Sequence, residues 1–169
     1  FDRYPDLAEQ YRPRRGLPGG QIQATTARGT SIDAQYELMD INDLITSHDD
    51  NLTINPAFPQ ELQPRERSRV GSQLQVAQIE QNLQPGYLGE SPGASEGAPI
   101  IGDDNLVESG NARTIALRRL YGRQGAEVYR QWLRDNAHRF GIAPGQIDQM
   151  QTPVLVRRRL TDVDRKQFV

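Results

Sequence analysis

A chain of 169 residues suits one domain, and 36% hydrophobic content with 15 Gly and 11 Pro leaves room for a core beside sizeable polar loops. Cysteine is absent, which excludes disulfides, thiolate catalysis and Cys-based zinc sites. The net charge of -2 hides an asymmetry: residues 1–104 carry 8 Arg and 16 carboxylates, whereas residues 105–169 carry 12 Arg or Lys and 6 carboxylates. Every cation except Lys166 is arginine. Arginine suits planar, bidentate contact with phosphate or carboxylate, so the basic half is a candidate nucleotide or nucleic-acid surface. No apolar run approaches a membrane span and no secretory signal is visible, so a cytoplasmic setting without membrane partners is expected. His48 and His138 are far apart in sequence, which lends no support to a metal site or a catalytic triad.

Residues 1–33 contain "RPRRGLPGGQ", with no apolar period, and read as an extended arm or linker. The folded domain is expected over residues 34–169. "AQYELMDINDL" (34–44) predicts a short strand and a tight turn, and the prolines of 46–69 predict mostly loop. Ser72 and Gln75 fit a capping box for a helix whose buried face is Val76, Ile79 and Leu83. Residues 84–97 are Gly/Pro/Ser-rich and read as a mobile loop. "PII" and "LVE" predict a hairpin across "GDDN". A helix follows over 111–121, with Ala112, Ile115, Ala116, Leu117 and Leu120 inward. A second runs over 125–139 with Val128, Tyr129, Trp132 and Leu133 inward, joined by Phe140 just beyond it. "APGQIDQM" predicts a helical turn. "TPVLVRRRL" (152–160) is the best strand, and Thr161 caps a last helix. This order predicts a small α+β domain, its mixed sheet interrupted and flanked by helices.

The chemistry concentrates at "ESGNARTIALRRLYG" (108–122), a strand–glycine–helix joint. Unpaired amides and the helix dipole favour an anion at a helix start, and a glycine lets the backbone approach it. Ser109, Gly110 and Asn111 are the candidate backbone or cap donors. Arg113 in the first turn opposes the dipole, and a bound phosphate would compensate. Capping by Ser109 or Asn111, with Arg113 in solvent, is the plainer alternative. In "LQPRERSR" (62–69), Arg65 and Arg67 could clamp a second phosphate, or be solvated beside Glu66.

Together, "LQPRERSR", "APIIGDDNLVESGNARTIAL" and "TPVLVR" resemble the ParB/sulfiredoxin-like superfamily, most nearly the DdrB-like ParB domains of phage and plasmid proteins linked to defence against restriction. Gln63, Pro64 and Arg65 match its Q-P-R segment, and Gly110, Arg113 and Ala116 its G-x-x-R-x-x-A box. The resemblance implies a nucleotide or nucleic-acid phosphate site, with CTP or ATP and Mg²⁺ as candidate ligands. Absent cysteine rules out sulfiredoxin chemistry. Segregation-type members carry an acid directly after the box glycine, where this chain has Asn111. Glu108 is the candidate substitute as a catalytic or metal-holding carboxylate, unless it is a strand-end glutamate facing water. Asp103 and Asp104 are more simply turn residues. A binding module is therefore favoured over an NTPase or nuclease, and over an interaction domain without a working site. The chain reads as a fragment of a longer polypeptide. The rest of that polypeptide, and possible dimerisation, are open.

Overall fold

The strand predicted at 152–160 becomes the middle of the sheet. In the computed structural model, which describes residues 16–26, 28–63 and 69–168, it spans Pro153–Arg159 (β5). The other strands are Leu17–Thr25 (β1), Ser31–Asp40 (β2), Ile100–Ile101 (β3) and Val107–Ser109 (β4), in the order β1-β2-β5-β3-β4. β5 is antiparallel to β2 and parallel to β3, while β1–β2 and β3–β4 are antiparallel pairs. A central strand covered on both faces needs an unbroken apolar run rather than alternation. Val154, Leu155 and Val156 supply it, and all three are buried.

Among the described residues, five α-helices accompany the sheet: Arg69–Gln81 (α1), Asn111–Gly122 (α2), Glu127–Asn136 (α3), Pro144–Asp148 (α4) and Arg165–Phe168 (α5). The main core joins the sheet to α2 and α3 through Leu38, Leu155, Leu117, Tyr129, Leu133 and Phe140. Tyr36 meets Phe140 edge to face, with centroids 4.9 Å apart, a favoured aromatic geometry. A second cluster of Val76, Ala112, Ile115 and Ala116, with Ile79 against it, fixes α1 across α2. The inward face predicted for α2 is the one it buries.

The local expectations differ from the fold in four places. Residues 17–25, read as part of an arm, pair with β2 as an edge strand. An edge tolerates Pro18, and the ladder is irregular between Pro18 and Gln21. Helix α1 begins at Arg69, so Ser72 lies inside it and does not head a capping box. Val128 is exposed, because α3 turns its Tyr129 and Leu133 row inward and leaves Val128 about 100° away. Thr161 caps no helix: its hydroxyl accepts the Asp33 amide at 2.8 Å, and α5 starts only at Arg165. Among the described residues, no helix is long and apolar enough to cross a membrane.

Candidate anion-binding cleft

Strand β4 turns into helix α2 at Gly110, whose φ of 94° and ψ of 27° lie in the left-handed region. Side-chain-bearing residues enter that region at a cost of about 1–2 kcal/mol. Space demands glycine as well. An added Cβ would lie 2.7 Å from Arg113 Nη2 and 3.2 Å from Pro99 Cα. The Gly110 carbonyl accepts both the Thr114 amide (2.9 Å) and the Thr114 hydroxyl (2.8 Å).

Neither predicted cap is a cap. Gly110 itself is the N-cap residue, so the N-cap position makes no side-chain bond to the first-turn amides. The Ser109 hydroxyl donates to the Ala94 carbonyl at 2.7 Å. Asn111 is a crosslink: its amide oxygen accepts the Ser47 N–H (2.8 Å) and its NH₂ donates to the Val107 carbonyl (3.1 Å). Ser47 also connects the two sequence motifs, because Gln63 Nε2 donates to the Ser47 carbonyl at 2.9 Å. Gln63 is thereby tied to the start of α2. Pro64, Arg65 and Arg67 lie outside the described residues.

Arg113 folds back over the helix start. Its Nη1 donates to the Ser95 carbonyl at 2.7 Å, while Nε and Nη2 are buried without a hydrogen-bond partner among the described residues. Burial pushes its pKa down, opposed only in part by the charge of Glu96. A second guanidinium lies close enough to interact with it. Arg157, at 0% exposure, donates to the carbonyls of Ala98 (2.7 Å), Gly93 (2.9 Å), Ser91 (3.1 Å), Ala94 (3.4 Å) and Glu96. Burial pushes Arg157 down to about 10, partly offset by Tyr36, and Arg113 lowers it further. Arg157 thus joins Ser109 and Arg113 in fastening residues 91–98, most of which fall in the 84–97 stretch expected as a mobile loop. The sequence signal for Arg157 was a charge set within the central strand, directly after its apolar run Val154-Leu155-Val156.

Glu108 goes elsewhere. Its carboxylate is 0% exposed, gripped by Arg159 Nε and Nη2 (2.8 Å each) and by Arg165 Nε (2.6 Å). Arg165 also spans both oxygens of Asp104 at 2.9 Å. Burial raises the Asp104 pKa, but the Arg165 bonds outweigh it and the net shift is downward. The same hydrogen bonding raises Arg159 and Arg165. Glu108 therefore neither faces water nor lines the cleft. Much of the basic half has internal partners too: Arg158 holds Glu37, Arg118 holds Asp50, and Arg134 holds Asp148. The arginine bias does not by itself make an open basic surface.

A cleft of about 510 Å³ opens beside the start of α2. Its floor is Ser109, Gly110, Asn111, Ala112 and Arg113, with Ser95 beside them. Helix α1 contributes Gln75, Gln78 and Ile79 to the lining, and Asn82, Gln84, Tyr87 and Leu88, beyond its end, complete it. That volume suits a small molecule.

A family model for the ddrB-like ParB superfamily domain matches residues 27–160. The chain belongs to that superfamily. No curated protein and no solved structure gave a match. In this ddrB-like ParB domain, β1 precedes the matched span and α5 follows it. The matched span contains Gln63, the Gly110–Arg113 joint and the cleft walls.

Proposed function

We propose that this ddrB-like ParB domain is a binding module that holds the phosphate of a nucleotide, or of a nucleic acid, at the start of α2. The observation that carries the reading is Arg113, a largely buried cation with two unpartnered N–H-bearing nitrogens at a helix N-terminus beside a cleft. A buried charged group without a partner is costly, by about 1–3 kcal/mol or more, and an anion there relieves that cost. The edge concerned is the right one. Arg159 uses its own Nε and Nη2 to hold both oxygens of Glu108, and the same edge of Arg113 has no acceptor among the described residues. The uncapped amides and the helix dipole add to the attraction.

At the other end of the cleft, the carboxamides of Gln75, Gln78, Asn82 and Gln84 offer donors and acceptors for the edge of a planar base. Tyr87, 73% exposed, offers a ring for stacking. Ser109, Gly110 and Asn111 line the cleft and Arg113 engages phosphate, while Arg65 and Arg67, outside the described residues, are kept as the candidate second clamp from sequence alone. Glu108 serves the fold in this reading, so binding is favoured over turnover. A cytoplasmic module of a phage- or plasmid-borne protein is the setting that accords with the family.

Calorimetric titration with CTP, ATP and a short DNA duplex tests the reading. Binding of at least one ligand is expected, and Arg113→Ala should weaken it tenfold or more while the fold persists. A duplex held through arginine–phosphate contacts should also weaken steeply with salt. Absence of binding to all three at low salt refutes the site.

A further inference from the structure

The family resemblance implies Mg²⁺ beside the nucleotide, so the donors that this cleft offers a hard cation are decisive. Mg²⁺ is held by oxygen ligands in near-octahedral geometry, normally including one or two protein carboxylates. The described cleft lining has carboxamides, hydroxyls and apolar groups, and its one charged side chain is Arg113. The acids close in sequence are turned to other work. Both oxygens of Glu108 are taken by Arg159 and Arg165, and Asp104 is held by Arg165. Asn111, at the position where an acid would face the site, is engaged at both ends by Ser47 and Val107. Glu96 is exposed and acts on Arg113 through space, and its backbone carbonyl is bound by Arg157.

The charge balance points the same way. Arg113 lies near enough to Arg157 to lower its affinity for a proton, and the hydrogen bonds of both among the described residues go to neutral backbone carbonyls. Two guanidinium charges already supply what a divalent ion would supply to a phosphate. A cation brought beside them would meet repulsion, with only the exposed carboxylate of Glu96, already acting on Arg113, to offset it.

We propose that the cleft takes its phosphate ligand as the free anion, held by Arg113 and the field of Arg157, with no divalent metal bridging ligand and protein. This inference rests on the phosphate-binding reading above. The test titrates CTP into the 169-residue chain by calorimetry, once in EDTA and once in excess Mg²⁺, with ligand-into-buffer blanks. The expected result is binding in EDTA and apparent affinity that is equal or weaker in Mg²⁺, because the metal sequesters free nucleotide. Arg113→Ala, checked for native circular dichroism, should lose at least tenfold of the affinity in EDTA. Affinity tenfold or more tighter in Mg²⁺ overturns the metal-free inference and leaves the phosphate site standing. Lack of binding in either buffer, or full affinity in Arg113→Ala, overturns both.

Discussion

Asn111→Asp puts an acid directly after the box glycine, and the structure predicts that the domain tolerates it poorly. Asn111 works as acceptor and donor at once: its oxygen takes the Ser47 amide at 2.8 Å and its NH₂ feeds the Val107 carbonyl at 3.1 Å. A carboxylate keeps the first bond and loses the second, leaving an anionic oxygen against the Val107 carbonyl in a part-buried site. Losing the bond and stranding its acceptor costs about 1–3 kcal/mol. The helix dipole returns about 0.3–1 kcal/mol to an acid at this position. The net expectation is a loss of about 1–2 kcal/mol at pH 7, or roughly 2–8 °C in Tm for a domain of this size. The sign of the pH dependence is fixed by the same geometry. Only the protonated acid can donate to Val107, so the fold raises the introduced pKa above its unfolded value of about 3.9. The missing stability is therefore present below about pH 4 and lost as pH rises through the folded pKa. Thermal unfolding of wild type, Asn111→Asp and Asn111→Ala at pH 4 and 7 checks this. The aspartate variant should approach wild type at pH 4, whereas the alanine deficit should stay constant. An aspartate variant as stable as wild type at pH 7, or a deficit that ignores pH, would refute the reasoning.

Gly110→Ala should cost about 1–2 kcal/mol for its left-handed backbone, and displacing Arg113 from 2.7 Å should also weaken CTP binding; unfolding and titration read the two effects separately. Glu37→Gln leaves Arg158 buried without its charge partner and should cost about 3–5 kcal/mol in urea unfolding, whereas replacing both residues with apolar ones should recover much of that. Burial pushes the phenols of Tyr36, Tyr121 and Tyr129 upward, so each contributes stability that is present below the unfolded pKa near 10 and lost as pH rises beyond it. Arg157 and Arg113 act in the opposite sense, two groups against three, so alkaline unfolding should coincide with a cooperative rise in tyrosinate absorbance. A gradual, non-cooperative titration near pH 10 would count against it.

Family, hairpin and helix α2 were legible because each rests on local signals: β-branched runs, turn residues, 3.6-residue periodicity and a glycine at a strand–helix joint. The same patterning carries the α+β class and the central strand, since a strand buried on both faces must read as Val154-Leu155-Val156 without alternation. Edge strand β1 was obscured because its polar "GGQIQ" is locally indistinguishable from a linker; only the β2 backbone makes it a strand. The roles of polar side chains were not legible either. Sequence placed Glu108 beside Ser109 and Gly110, but in a strand alternate residues face opposite sides, and two distant arginines claim its carboxylate. Asn111 stood out as a missing acid, and only the approach of Ser47 and Val107 makes it a required amide. Arg157 and Arg113 are equally plain arginines in the sequence. Hydrogen bonds over 18 to 66 positions decide which of them saturates backbone carbonyls and which keeps an edge for an anion, and such partners carry no local signature.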